Sequence, residues 1–118
     1  MYAIREEEGR LIKLPGRDWR LLIGPENMGA ENLIFGICDV PVGSKLKPHS
    51  HAKEEEIIYV LQGEGIIAFP NQEVRLEPGV AIFIPKATEH WIESRGGQVL
   101  KFISLFSPPV VPGSYDNR

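Results

Sequence analysis

The chain holds three histidines, and all of them fall within two short segments. His49 and His51 stand two residues apart in K-L-K-P-H-S-H. On an extended strand side chains alternate with period two, so that spacing puts both imidazoles on one face. A carboxylate follows at Glu55 or Glu56. His90 ends the segment G-V-A-I-F-I-P-K-A-T-E-H, in which Gly79 opens an apolar run and Pro85 closes it. Neutral imidazole nitrogens and a carboxylate oxygen are the ligands that first-row divalent metals accept. His49, His51, His90 and one of the two acids therefore form a candidate metal site. An H-x-H pair alone is as often a polar strand edge; the third histidine is what separates this chain from that case.

From the residues alone the acid stays open. Strict alternation from His51 brings Glu55 to the histidine face, whereas a bulge or turn in A-K-E-E resets the face and brings Glu56 there instead. Lys45 and Lys47 share the parity of His49 and could attract an anion to the same mouth, although a surface role is the plainer reading. Cys38 lies in an apolar run and reads as a small buried hydrophobe. Trp91 and Phe102 read as core packing. Glu89 and Glu93 flank His90 as candidate proton-transfer groups, with no spacing that selects one.

Short strands must carry these residues. Twelve glycines and ten prolines punctuate the chain, and the apolar runs between them are too short for helices of ordinary length, which predicts an all-β, antiparallel sandwich or barrel. The runs are 11–14, 19–23, 32–40, 57–61, 66–69, 73–76, 80–84, 91–92 and 99–106. Gly36, inside the third run, marks a bulge or a close approach to the backbone. The run from Ile57 to Leu61 is apolar on both faces, as in a strand that is central in its sheet or covered by a partner subunit. A homodimer is expected on that ground.

Length and charge bound the rest. At 118 residues the chain is expected to be one domain, 1–118, with N-terminal strands within 1–30 and an extended proline-rich tail over 107–118. A formal net charge of -3 argues against nucleic acid or an anionic membrane as partner. No run approaches the roughly 18 apolar residues of a transmembrane helix, and R-E-E-E-G-R near the N-terminus is no signal sequence. The single Cys38 cannot make an internal disulfide, and a cytoplasmic location is expected.

Two longer patterns add a resemblance. Gly43, His49, His51, Glu56 and Gly63 match the fixed positions of the first motif of the cupin superfamily, and Gly79, Pro85 and His90 resemble the second. Ala87 replaces the glycine usual in the second motif, and Ser94 a frequent asparagine. The resemblance implies a cupin-type jelly-roll β-barrel (a double-stranded β-helix). It also implies one metal ion held by His49, His51, Glu56 and His90, the spacing to Gly63 favouring Glu56 over Glu55. Four protein ligands on a six-coordinate metal leave two positions for water, dioxygen or a chelating substrate. The donor set does not choose among Mn, Fe, Zn, Ni, Co and Cu. The expected function is metal-dependent conversion of a small polar or anionic molecule, by isomerase or epimerase, dioxygenase or decarboxylase chemistry. The alternative is a metal- or small-ligand-binding module without turnover.

Overall fold

The computed structural model describes residues 2–110 and is built almost wholly from strands. These are β1 (Arg10–Leu14), β2 (Arg17–Ile23), β3 (Ile34–Val40), β4 (Glu55–Gln62), β5 (Gly65–Phe69), β6 (Gln72–Leu76), β7 (Ala81–Ile84), β8 (Trp91–Ser94) and β9 (Leu100–Ser107). Most of the expected tail, 111–118, lies outside the described residues. Besides a single 3-10 turn at Glu6–Glu8, a short helix, α1 (Pro25–Met28), stands where the sequence indicated only a strand end. Pro25 presets φ at a position whose N–H has no helical partner to lose. The Asn27 side chain closes the turn by accepting from the Gly24 N–H at 2.9 Å and donating to the Leu22 carbonyl at 2.6 Å.

Strand order is β1-β2-β3-β9-β4-β7 in a six-stranded sheet and β6-β5-β8 in a three-stranded one. All of the pairings are antiparallel. No described strand of one sheet pairs with a strand of the other, so the barrel expected from the sequence is instead two facing sheets whose ladders do not close. Between them lies one core. Leu21, Cys38, Ile58 and Phe102 from the larger sheet meet Ile67, Leu76 and Ile92 from the smaller. Burying each large aliphatic or aromatic side chain there contributes roughly 1.5–3 kcal/mol before conformational entropy is set against it. Trp19 packs edge-on against Phe106, with ring centroids 6.3 Å apart. Gly36 lies opposite Leu21 in the β2–β3 register. A Cβ at Gly36 would collide with the Trp19 indole, which is the close approach its position suggested.

The expectation of a β4 buried on both faces is not met within the chain. Ile58 and Val60 face the core, while Ile57, Tyr59 and Leu61 are 45%, 42% and 40% exposed. The reason is architectural: the smaller sheet covers only the inner face of the larger one. Among the described residues no helix is long and apolar enough to cross a membrane.

The segment that carries two histidines is extended rather than a regular strand, and it runs antiparallel beside β8. Lys45 pairs with Glu93, and His49 pairs with His90. Four steps along one side therefore meet three along the other, so one extra residue is accommodated between the pairs. Pro48 explains the slip. In an unbroken register it would sit opposite His90 and owe the ladder an N–H that proline lacks. His49 takes over, donating from its N–H to the His90 carbonyl and accepting from the His90 N–H, both at 2.9 Å.

Candidate metal centre

The extra residue at Pro48 decides which side chains enter the space between the sheets. Before it, Leu46 is buried and Lys45 is exposed; after it, His49 turns inward and His51 is buried. Lys45 and Lys47 consequently stay exposed, in the surface role that was the plainer reading, although their parity matches that of His49. A bend at Ala52–Lys53 shifts the inward parity again, so that Glu56 is buried and Glu55 exposed. The Ala87 N–H donates to the His51 carbonyl at 2.7 Å and thereby ties the loop before His90 to the H-x-H segment. Ala87 adopts φ 60, a left-handed conformation that glycine takes without strain and alanine does not.

His49, His51 and His90 each bring a ligand atom into a group in which all such atoms lie within 4.8 Å of one another. Glu56 Oε1 faces His51 Nε2 at 3.3 Å and His90 Nε2 at 3.8 Å. Two of the rings are oriented in the same way. His49 Nδ1 lies 2.8 Å from the Lys47 carbonyl, and His90 Nδ1 lies 2.9 Å from the Thr88 carbonyl. A carbonyl oxygen only accepts, so each Nδ1 carries the proton and each Nε2 of the neutral ring presents a lone pair. Such a backbone contact is the usual support behind a metal-binding imidazole. Behind the acid, the Ser104 hydroxyl on β9 donates to Glu56 Oε2 at 2.7 Å, leaving Oε1 toward the histidines.

Charge states follow from these surroundings. Burial drives the His49 imidazole from 6.5 down to about 4, helped by the neighbouring His90 and His51 and only partly opposed by the Lys47 carbonyl. Burial alone would raise the Glu56 carboxyl, but His51, His90 and the Ser104 hydroxyl together hold it below its ordinary value. At neutral pH the cluster thus combines an unprotonated His49 with a buried carboxylate. Both ring nitrogens of His51 and Glu56 Oε1 are buried without a hydrogen-bond partner among the described residues. Unsatisfied buried polar atoms of this kind cost about 1–3 kcal/mol each, and a divalent cation fits the lone pairs that three imidazoles and a carboxylate present together.

The cluster opens onto a cavity of about 440 Å³, counting the solvent at its mouth. Its walls are largely apolar, with Leu14, Trp19, Leu46, Ile92, Phe102 and Phe106 among them. Phe102 and Trp19 are thus both core and wall. Cys38 lines the same cavity but is fully enclosed, and burial raises its thiol far above the ordinary value, in keeping with the reading of a small hydrophobe. Glu89 is exposed, and Glu93 pairs with Arg95 at 3.1 Å, so neither flank of His90 supplies a proton-transfer group to the cavity. The sequence reading missed Arg17. It opens β2, is 7% exposed and lines the cavity beside the histidines. Parity would have found it, since Arg17 lies two residues before Trp19 and four before Leu21, on the same inward face.

Comparison with known proteins matches these features. A family model described as a cupin domain covers residues 36–106. The uncharacterized protein MJ1618 of Methanocaldococcus jannaschii is 41% identical over 70 residues, which are 59% of this chain and 56% of that protein. The tetracenomycin polyketide synthase protein TcmJ of Streptomyces glaucescens is 28% identical over 93 residues, 79% of this chain and 62% of its own. This chain thus spans less than two thirds of the length of both. An oxalate-binding protein of Thermotoga maritima is 31% identical over 84 residues, 71% of this chain and 69% of its own. Among solved structures, a Thermotoga maritima protein described as a predicted oxalate decarboxylase superposes with a TM-score of 0.79 at 25% identity, covering 90% of this chain and 98% of that one. The polyketide cyclase RemF of Streptomyces resistomycificus gives 0.79 at 26% identity, covering 91% and 79%.

Proposed function

The chain belongs to the cupin family, and from that premise we propose that His49, His51, Glu56 and His90 hold one divalent transition-metal ion at which a small polar or anionic molecule is converted. The observation that carries this reading is the convergence of three imidazole ligand atoms within 4.8 Å, with the His49 and His90 rings tethered through Nδ1 so that Nε2 carries the lone pair. When bound, the ion supplies Lewis acidity or, for iron, manganese or copper, redox chemistry. The protein's own part is orientation and exclusion. Ser104 fixes the Glu56 carboxylate, the Lys47 and Thr88 carbonyls fix two rings, and the apolar walls keep bulk water from the reacting molecule. On the same reading the two facing sheets are the halves of a jelly roll within one domain, and the chain works in the cytoplasm.

Elemental analysis of protein purified without added metal tests the proposal. About one transition metal per chain is expected, lost in His90→Ala; metal-free protein that takes up none on reconstitution overturns it. Iron, manganese, or zinc and nickel would direct assays respectively to dioxygen chemistry, to decarboxylation or oxygenation, and to isomerisation or lyase reactions. A second reading, a ligand-binding module without turnover, rests on the oxalate-binding relative and on the absence of a second, unshielded acid or base among the described cavity residues. Tight small-molecule binding with no turnover under any metal selects it.

The uncovered outer face of the larger sheet supports a homodimer. Phe83, Ile57, Leu105 and Phe35 form one row across four strands, and Ala81, Tyr59 and Ile103 the next, which ends at the already buried Ile37. A second copy placing the same rows against these about a two-fold axis buries them mutually. Light scattering should give a dimer for the native chain and a monomer for Tyr59→Lys.

A further inference from the structure

We propose that Phe106 is a positioning residue whose ring holds the His51 imidazole with Nε2 toward the other ligands, the task that a backbone carbonyl performs for His49 and His90. The proposal rests on the metal reading for the purpose of that orientation, not for the orientation itself.

The three imidazoles are supported unequally. His49 and His90 each have Nδ1 against a main-chain oxygen, at 2.8 Å and 2.9 Å. His51 is 4% exposed, and neither of its ring nitrogens has a hydrogen-bond partner. Rotation of an imidazole about its second side-chain torsion is soft and roughly two-fold. A ring with no bond at Nδ1 therefore needs another restraint if Nε2 is to stay aimed. Glu56 Oε1 lies 3.3 Å from Nε2, but both are ligand atoms, and that contact yields when they serve a shared ion. A support that outlasts binding has to touch the ring elsewhere.

Phe106 does so. The two rings meet at 76° with centroids 4.9 Å apart, the geometry of an edge-to-face pair. The His49 and His90 rings stand farther from His51, at 5.2 Å and 5.6 Å. Phe106 is itself well fixed. It is 6% exposed, packs edge-on against Trp19, and sits on β9 between Ile34 of β3 and Glu56 of β4 in the two registers. Ser104, two residues earlier on the same strand and so on the same face, donates to Glu56 Oε2. Strand β9 thus steadies two ligands by different means, the acid with a hydroxyl and the imidazole with a flat ring.

Phe106→Leu, which keeps an apolar side chain without the ring, and Phe106→Tyr, which keeps the ring, test this. In imidazole NMR spectra of chelator-treated protein, Phe106→Leu is expected to shift or broaden the His51 resonances while those of His49 and His90 stay in place, and Phe106→Tyr to restore them. In competition with a chromogenic chelator, Phe106→Leu is expected to bind metal about 10–100-fold more weakly, the range for groups that support a ligand, and Phe106→Tyr to stay within a few-fold of the native chain. A role confined to packing lowers stability without singling out one histidine. Changes spread evenly over the three histidines, or native metal affinity in Phe106→Leu, overturn the proposal. If Phe106→Leu does not fold, the native chain decides: nuclear Overhauser contacts between the two rings, with one His51 orientation, uphold the assignment, and their absence overturns it. A selective response of His51 in a chain that takes up no metal upholds Phe106 and removes the metal reading; native metal uptake indifferent to Phe106→Leu does the reverse.

Discussion

Ser104 and Glu56 meet across the β9–β4 ladder, the hydroxyl donating to Oε2 at 2.7 Å from the strand position that pairs with Ile58, two residues along from the acid. The contact holds one carboxylate oxygen and thereby aims the other at His51 and His90. Contacts of this kind behind a metal ligand typically alter metal affinity by about 10–100-fold. Ser104→Ala should therefore bind metal more weakly by roughly that factor while the fold persists, as competition with a chromogenic chelator would measure. Affinity equal to the native chain would mean that the hydroxyl does not support the carboxylate.

The buried acid and its exposed neighbour make a paired test. Glu56→Gln should retain little metal after dialysis, because an amide oxygen offers no charge to a dication. Glu55→Gln should retain the native content, since Glu55 is turned to solvent. Metal content per chain in the two variants separates them, and the reverse result would transfer the role to Glu55.

Ala87 holds φ 60, and an alanine at positive φ costs more than the roughly 0.4–1 kcal/mol that its smaller unfolded-state entropy returns. Ala87→Gly should raise stability by about 1 kcal/mol, whereas Ala87→Val, β-branched at positive φ, should lower it by at least as much. Urea midpoints at constant slope measure both. A glycine variant less stable than the native chain would show that alanine is not strained there.

Acid should weaken the metal-free protein in a defined window. His49 is driven from 6.5 down to about 4 in the fold, so between those values the unfolded chain binds the extra proton and stability falls as pH falls. The depressed Glu56 carboxyl acts in the same direction, its contribution being lost as pH drops through its folded value. Denaturation of chelator-treated protein between pH 7 and pH 4 should show a progressive decline that His49→Gln makes shallower. A flat profile across the window would contradict the burial-driven shift.

Gly36 has no room for a methyl group, because a Cβ there meets the Trp19 indole and lies 2.8 Å from the Arg20 carbonyl. Gly36→Ala should destabilise by about 2 kcal/mol, in the range of overpacked cores. Thermal melts compare it with Gly29→Ala, whose Cβ meets nothing within 4 Å and whose cost is confined to φ 72.

Much of this was legible in the residues. Turn signals and short apolar runs placed the strands to within a residue or two, because glycine and proline end strands for local reasons. The residues alone left Glu55 and Glu56 open; the spacing to Gly63 in the cupin resemblance favoured Glu56, which is buried because the bend at Ala52–Lys53 resets the parity. Other features were hidden for physical reasons. The facing of Lys45 and Lys47 depends on an extra residue that becomes visible only once the partner ladder is known. Arg17 was overlooked because it precedes the apolar run 19–23 and reads as part of the turn after Pro15–Gly16, whereas β2 begins at Arg17 itself. The bare outer face of β4 could not be read from its own apolar residues, which do not say whether a neighbour covers them.

The unpaired position at Pro48 has a consequence beyond geometry. It works as a change of phase in a two-beat rhythm: upstream of it the chain shows its lysines to water, and downstream it turns its histidines toward the interior. Without that slip, strict alternation from the buried Leu46 would turn His49 and His51 outward with no change in composition. The chemistry of this pocket is thus written in an odd number as much as in its ligands, and the one cation among its described walls, Arg17, arrives on the stretch of β2 that lies ahead of that strand's own register shift between Leu21 and Ile23.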